Sequence, residues 1–309
     1  MRTAGVILAA GAGSRMRPLT HALPKPLVPV LDRPLLLHLV DRMAAAGAQE
    51  IFVNLHHHAE QIQRVLDAYD CPVPVRTAVE PELTGPAGAL TRFADRLRSY
   101  DAVLVTSGDV LSGDDLAEVR ARHQRSDADL TVAAVRRQGA RHFGVLDIGD
   151  DSALTGAREK PPVPDEEWHW VSAGIYCLSA AAIDRIPRGS VFDYAADLVP
   201  LLLSESRTVV AARLNGYWRD IGTPRSLREA NLDAAAGRIP WLAPRGTGEG
   251  VHIGSGAHVA GTAVLCGPVV IGSGARIGEG TWLENSVVLS DSVIPAGTVL
   301  IDALAVTPA

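Results

Sequence analysis

Cysteine is scarce in this 309-residue chain: Cys71, Cys177 and Cys266 are three, widely spaced and odd in number. That excludes a disulfide framework and argues against a cysteine-based zinc site, so a reducing, cytoplasmic setting is expected. Positive charge is short as well. Lys and Arg number 29 against 35 Asp and Glu, a net charge of −6, where a nucleic-acid binder would usually be basic. Long apolar runs are missing, and none reaches the roughly 20 residues of a membrane span. The run Ala4 to Ala10 behind Arg2 is too short for a signal-peptide core once its glycines are discounted, and Arg15 and Arg17 follow at once. It reads as a buried first strand. The remaining composition, 47% hydrophobic and 21% charged, is that of an ordinary soluble protein with room for one large and one small domain.

The densest stretch of chemistry follows that strand. Leu8-Ala-Ala-Gly-Ala-Gly-Ser-Arg-Met-Arg-Pro-Leu-Thr20 leads into Pro24-Lys25-Pro26-Leu27. The N–H groups of Gly11, Ala12 and Gly13 can converge on one concavity, because glycine permits backbone geometries and close approaches that other residues do not. Arg15 offers a rigid fork of donors to phosphate oxygens and Lys25 a point charge. This is a loop built to wrap a polyphosphate. It is not the dinucleotide fingerprint, whose third glycine is replaced by Met16, and no Gly-Lys-Ser/Thr of a P-loop follows Gly13. Pro18, Pro24 and Pro26 make it a long irregular loop.

Over the first 235 or so residues, strands and helices alternate. Strands are expected at 3–10, 50–55, 73–79, 102–106, 129–135, 144–148, 171–178 and 209–214. Helices are expected at 34–46, 59–69, 87–97, 114–125, 194–203 and 224–236. The rhythm predicts an α/β fold with a mainly parallel, Rossmann-like sheet and flanking helices. Ligands bind such sheets beyond the carboxyl ends of strands, where the Gly11 loop and Asp109 both fall. A Gly/Pro-rich connector, 237–250, breaks the pattern. Beyond it Ile253, Val259, Leu265, Ile271, Ile277, Leu283 and Leu289 recur every six residues. Ala257, Ala263, Val269, Ala275, Thr281, Val287 and Val293, four places later in each hexad, are small or apolar. This is the hexapeptide pattern of a parallel β-helix, expected to end at Pro295. Such a short array should pack on the first domain or on another subunit.

Read together, the motifs resemble those of the sugar-1-phosphate nucleotidylyltransferases. Gly11-Ala-Gly-Ser-Arg-Met-Arg-Pro-Leu-Thr20 and Pro24-Lys-Pro-Leu-Val-Pro-Val30 stand for the family signature. Thr84-Gly-Pro-Ala-Gly-Ala-Leu90, Gly108-Asp109, Phe143-Gly-Val145, Glu159-Lys-Pro161, Ser172-Ala-Gly-Ile-Tyr176 and Trp218-Arg-Asp-Ile-Gly-Thr-Pro224 follow in family order. The resemblance implies a catalytic domain over 1–236, a linker over 237–250 and a left-handed β-helix over 251–309. It implies a nucleoside triphosphate and a sugar 1-phosphate as substrates, Mg²⁺ as cofactor and a homo-oligomer. Neither nucleic acid nor membrane is an expected partner. Arg15 would grip the β- and γ-phosphates and Lys25 the α-phosphate. Ala10, Gly11, Ala12, Gly13, Gly85 and Gly88 would serve the nucleotide. Gly144, Glu159, Lys160 and Gly174 would serve the sugar phosphate, and Asp109 and Asp220 the metal.

Each element also has a plainer reading. Asp109, at the end of a buried strand, could equally partner a helix N-terminus. At Trp218–Pro224 the helix cap should be Thr223, which leaves Asp220 without a structural task. Glu159-Lys160-Pro161 alone could be a surface turn. His56-His57-His58 cannot easily face one ion, since neighbours on a strand point to opposite faces. Pro86 has no N–H to offer a base. The AGAL element and PKPL lean towards mannose-1-phosphate guanylyltransferase; glucose-1-phosphate thymidylyl- or uridylyltransferase is the near alternative. A non-catalytic NDP-sugar-binding homologue would be expected to lose Lys25, Asp109 or Asp220. A hexapeptide acyltransferase would need a longer repeat than one whose only histidines are His252 and His258.

Overall fold

The computed structural model describes residues 1–242 and 250–306, so half of the expected 237–250 connector, 243–249, lies outside the described residues. The chain forms two compact units, neither of them continuous in sequence. One comprises Met1–Ala12, Leu36–Val110 and Asp114–Trp218, and the other Gly13–Leu35, Leu111–Gly113 and Arg219–Ala309.

The first unit is built on a nine-stranded sheet. Thr3–Leu8 lies between Glu50–Leu55 and Ala102–Ser107 and is parallel to both, with Val75–Val79 parallel at the outer edge. On the other side His169–Leu178 runs antiparallel to Ala102–Ser107, Leu130–Arg137 and Gly144–Ile148. Leu154–Glu159 forms a hairpin with Gly144–Ile148, and Val209–Arg213 pairs in parallel with Leu130–Arg137. The fold is therefore mixed α/β around a Rossmann-like parallel half. Ala4, Val6, Phe52, Val103 and Val105 share one core with Leu90, Phe93, Leu97, Tyr194 and Leu198. Each large apolar side chain fully buried there contributes about 1.5–3 kcal/mol.

Two expected elements differ. The helix expected over 87–97 is three short pieces, Gly85–Gly88, Ala89–Arg92 and Ala94–Leu97. The N–H groups of Ala87 and Gly88 both go to the Phe192 carbonyl (3.1 and 3.0 Å), a partner a continuous helix would not need. The helix expected from Pro34 starts at Leu35, because Arg33–Pro34 pairs with Pro29–Val30 as a tiny hairpin.

In the second unit, ten short strands coil into three parallel sheets of four, three and three strands. Val269, Ile271, Ala275, Ile277, Leu283, Val288 and Ile294 fill the coil. The strict hexad does not persist. Ile253 pairs with Ile271, but Ile271 pairs with Val288 rather than Leu289, and Ile277 with Ile294. The corner between Glu284 and Val287 has one residue fewer than that between Cys266 and Val270. Downstream the small inward places pass to Ser286 and Ser292, 0% and 1% exposed, while Val293 turns outward at 52%. The coil also continues past Pro295 through Val299–Ile301 and Leu304–Ala305, with Leu300 and Ala305 against its core. Helix Pro224–Ala235 packs on the outer face of the four-stranded sheet, which is why Val270 and Val287 are buried although they point away from the coil's interior.

Candidate active site

In the first unit, strand ends deliver the site residues. Strand Thr3–Leu8, apolar after its buried Thr3, runs into Ala9, whose N–H donates to Asn54 Oδ1 at 2.8 Å. Ala10 is buried, while Gly11 and Ala12 are exposed. A Cβ on Gly11 would meet nothing within 4 Å, so the space over this turn is open. Beside it Gly108 donates its N–H to Leu8 O at 2.8 Å, and a Cβ there would stand 2.7 Å from the same oxygen. Only glycine lets the two strand ends come this close, and Asp109, half-buried, is the next residue.

The Thr84–Gly88 turn is clamped from below. Gly85 has φ +77, and a Cβ would lie 2.7 Å from Phe192 O; one on Gly88 would lie 2.8 Å from Ser190 O. Phe192 N–H donates to Thr84 O at 2.9 Å. The N–H of Gly88 is thus already spent on Phe192. Beneath the turn sits Glu80, only 1% exposed. Its carboxylate accepts from Asn54 Nδ2 (2.5 Å), Thr84 Oγ1 (2.8 Å) and Thr84 N–H (3.2 Å). Through Asn54 it joins the end of the first strand to the Thr84 turn. Sequence reading passed over Glu80: a carboxylate directly after a strand carries no specific signal, and its Asn54 donor lies on another element.

The residues expected at the sugar phosphate come together through strand pairing. Glu159 stands opposite Gly144. A Cβ on Gly144 would meet Ala195 Cβ at 3.0 Å, Glu159 Oε2 at 3.2 Å and Ser172 Cβ at 3.8 Å. Lys160 Nζ donates to Glu159 Oε1 at 2.5 Å, and Lys160 N–H to Phe143 O at 3.1 Å. The strand His169–Leu178 breaks register between Ser172 and Tyr176. In that break Gly174, at φ +70, comes so near Ser107 that a Cβ would sit 2.9 Å from its Oγ. Ser172 Oγ lies 2.8 Å from Tyr176 OH, and the Tyr176 ring stacks on Tyr194 at 3.7 Å. Burial pushes both phenol pKa values up, so both stay neutral; Tyr176 OH pairs with Ser172, while Tyr194 OH is buried without a hydrogen-bond partner. Phe143 meets Trp218 edge-on at 5.6 Å, and the Arg137 guanidinium lies 4.7 Å from the first ring and 5.3 Å from the second. Arg137 was not anticipated; it follows an apolar strand as one of two adjacent arginines, which carries no specific signal.

In the second unit the loop closes on itself. Gly13, at φ +63, is hemmed in: a Cβ would stand 3.0 Å from both Lys25 Cβ and Thr20 Cγ2. Thr20 Oγ1 donates to Gly13 O at 2.8 Å. Thr223 caps helix Pro224–Ala235 through a reciprocal pair with Ser226 (3.1 and 3.0 Å), as expected, which leaves the Asp220 side chain out of the cap. A Cβ on Gly222 would lie 2.5 Å from Asp220 Oδ1 and 3.1 Å from Arg15 Nη2. Arg15 and Asp220, far apart in sequence, therefore face the same glycine. Asp109 belongs to the first unit and Asp220 to the second. His56–His58 follow the strand ending at Leu55, and His56 Nδ1 lies 2.7 Å from Glu80 O. Among the described residues, no three His, Cys, Asp or Glu side chains cluster as a metal site, and no helix is long and apolar enough to cross a membrane.

Parallel strands with glycines at their carboxyl ends define the first unit as a Rossmann-like α/β fold. Residues 4–237 match the Nucleotidyl transferase family, and the chain belongs to it. It is 32% identical over 243 residues to a mannose-1-phosphate guanylyltransferase of Mycobacterium tuberculosis, covering 78% of this chain and 67% of that protein. It is 30% identical over 230 residues to a UTP–glucose-1-phosphate uridylyltransferase of Synechocystis, covering 70% and 59%. The matched stretch thus spans roughly two thirds or less of these relatives' length. Among solved structures, HddC from Yersinia pseudotuberculosis is 25% identical with a TM-score of 0.63, covering 75% of this chain and 98% of that one, and it has also been solved with GMP-PN. A Bacillus anthracis protein named as a glucose-1-phosphate thymidylyltransferase shares the fold at TM-score 0.66 and 24% identity, covering 74% of this chain and 94% of that one.

Proposed function

We propose that the protein transfers a nucleoside monophosphate from a nucleoside triphosphate to a sugar 1-phosphate, releasing pyrophosphate, with GTP and mannose 1-phosphate as the preferred pair. The observation that carries this reading is the meeting of Arg15 and Asp220 at Gly222, where a Cβ would crowd the ends of both side chains. The first and last motifs of the chain's chemistry thereby frame one small space. The relative from Mycobacterium tuberculosis supports guanine and mannose, and HddC, solved with GMP-PN, supports guanine; the Synechocystis relative points instead to UTP and glucose.

A phosphate oxygen of the sugar 1-phosphate attacks the α-phosphorus. The new P–O bond forms as the bond to the bridging β-phosphate oxygen breaks, and pyrophosphate leaves with that electron pair. The attacking oxygen is already anionic at neutral pH, so no general base is required. Arg15 would hold the β- and γ-phosphates and Lys25 the α-phosphate, beside the open turn Ala10–Gly13. Lys160 would hold the sugar phosphate and Glu159 a sugar hydroxyl, with Gly144 and Gly174 leaving room for the ring. Gly85 and Gly88 shape the base side. These groups act by positioning and by offsetting charge. Asp109 and Asp220 are each a hard carboxylate donor of the kind that suits Mg²⁺, an ion that phosphates and water would also ligate. When bound it would neutralise charge building on the transferred phosphoryl group.

Pyrophosphate release with Mg²⁺ tests the reading, across GTP, dTTP, UTP, ATP and CTP against mannose-, glucose-, galactose- and N-acetylglucosamine-1-phosphate. One dominant pair, GTP with mannose 1-phosphate, is expected. Preference for dTTP or UTP with glucose 1-phosphate would move the specificity and keep the class. Silence across the grid, with NDP-sugar binding retained, would replace the reading with a non-catalytic binding protein.

A further inference from the structure

The segment between Lys25 and the helix beginning at Leu35 is a hairpin of two-residue strands, Pro29–Val30 and Arg33–Pro34, with Leu31 and Asp32 at its tip. Both tip residues have positive φ, 47 and 67. Left-handed backbone at two successive non-glycine residues persists only where the surroundings hold it. Here the holding groups come from the far end of the chain. Asn231, 1% exposed on helix Pro224–Ala235, accepts the Leu31 N–H at 2.9 Å and donates to Pro29 O at 3.0 Å. Asp32 reaches the β-helix. Its carboxylate accepts from Ser273 N–H at 2.9 Å, from Ser290 Oγ at 2.6 Å and from Ser273 Oγ. Ser273 and Ser290 stand at the same corner of successive circuits. At the corner before them is Gly254, where a Cβ would lie 2.6 Å from Asp32 Oδ2. A Cβ there would lie still nearer, 2.4 Å, to the Ser273 backbone nitrogen, the same crowding that Gly272 meets at Ser290, so the glycine serves the stacking of the circuits and leaves Asp32 room beside them. The void left beside it is about 10 Å³, around the lower limit for a water molecule, so the contact is direct.

We propose that Asp32 is a positioning residue through which the β-helix sets the geometry of the Lys25 loop. The path is short. Asp32 fixes the hairpin tip, the hairpin continues back into Pro24–Leu27, and the Lys25 stem packs on Gly13. Three charge-assisted hydrogen bonds to one carboxylate are strong enough to hold a turn that its own residues disfavour. On this account the β-helix is a working part of the phosphate-binding loop. The inference rests on the reading of Lys25 as a phosphate ligand, so its test reads the loop and the chemistry separately.

The experiment compares full-length wild type with Asp32→Ala, Asp32→Asn and Ser290→Ala. Hydrogen exchange of amides 13–30 reads the loop without reference to catalysis; pyrophosphate release on the pair that wild type prefers reads the chemistry. In Asp32→Ala, exchange across 13–30 should quicken at least tenfold while the β-helix interior stays protected. KM for the nucleotide should rise about tenfold with KM for the sugar phosphate nearly unchanged. Ser290→Ala, which keeps the Ser273 bonds and disturbs the hairpin least, should show a smaller effect in the same direction, and Asp32→Asn should fall between the two. Adding Ser290→Ala to Asp32→Ala should cost nothing further. Unchanged exchange in the loop of both alanine variants overturns the proposal. So does an equal rise in both KM values, which a general loosening would produce. A wild type silent with every pair would sink the catalytic reading alone, since the exchange arm still decides whether Asp32 holds the loop.

Discussion

The loop after Ser107 and the loop after Lys25 are held in place in opposite ways. Gly108 is fixed by Leu8, its neighbour in the same sheet, so Asp109 is positioned by strand pairing that the sheet makes anyway. The Lys25 hairpin is fixed by partners 200, 241 and 258 residues away in sequence, at Asn231, Ser273 and Ser290. The first kind of placement comes with forming the core. The second requires contacts of very large sequence separation, whose loop-closure entropy must be met before they stabilise anything. The first should accordingly be lost only by changing the residue itself, and the second by changes far along the chain.

The largest expected effect tests the first kind. Asp109→Ala removes a carboxylate from a strand end whose backbone is set by Gly108 and Leu8. Turnover should fall by at least roughly 10³-fold while the thermal midpoint stays within a degree or two. Activity within tenfold of wild type would remove Asp109 from the metal; a collapse in stability would mean that its work is structural.

A pair of glycines sharpens the contrast inside a single turn. Gly13 occupies left-handed backbone with Lys25 and Thr20 pressed against it, whereas Gly11 has open space above it. Gly13→Ala should cost about 1–3 kcal/mol of stability and lower activity along with it. Gly11→Ala should leave stability unchanged and lower activity roughly tenfold, because the added methyl occupies the path of an approaching phosphate. Equal losses of stability in the two variants would erase the distinction, as would a Gly11→Ala enzyme of full activity.

This contrast also explains how much could be read from sequence. The strands ending at Leu8 and Ser107 were legible, though their ends were expected at Ala10 and Thr106, because apolar runs stopped by glycine have one structural meaning in an α/β chain. Thr223 was legible as a cap because capping chemistry is local. The hexads were legible as a coil, but their phase was not. Removing one residue at the corner before Val287 leaves an apolar residue at both the old and the new positions, Leu289 and Val288, so hydrophobicity cannot tell them apart. Glu80 and Asp32 were invisible for a related reason. A carboxylate that accepts three hydrogen bonds inside a fold has no sequence pattern of its own, and its donors lie on other elements.

The smallest effect concerns acid. Each unit buries a histidine whose pKa is pushed below its ordinary value: His123, by burial against the raising pull of Asp129 and Asp127, and His252, by burial against Asp32. For such a group the unfolded chain takes up a proton near pH 6.5 while the folded one resists. Stability is therefore intact above about pH 6.5 and is lost as pH falls through that value. The two histidines differ in their surroundings. His123 Nδ1 has Thr131 Oγ1 at 3.0 Å, whereas both ring nitrogens of His252 are buried without a hydrogen-bond partner. His252 forfeits nothing polar when replaced, so His252→Phe should flatten the fall of the thermal midpoint between about pH 7 and pH 5 without lowering it at neutral pH. His123→Phe should flatten the same fall but lower the neutral midpoint, since Thr131 loses its partner. A His252→Phe protein with the wild-type acid slope would show that this histidine takes up its proton equally well folded and unfolded, and that its burial beside Asp32 does not govern the acid response of the β-helix unit.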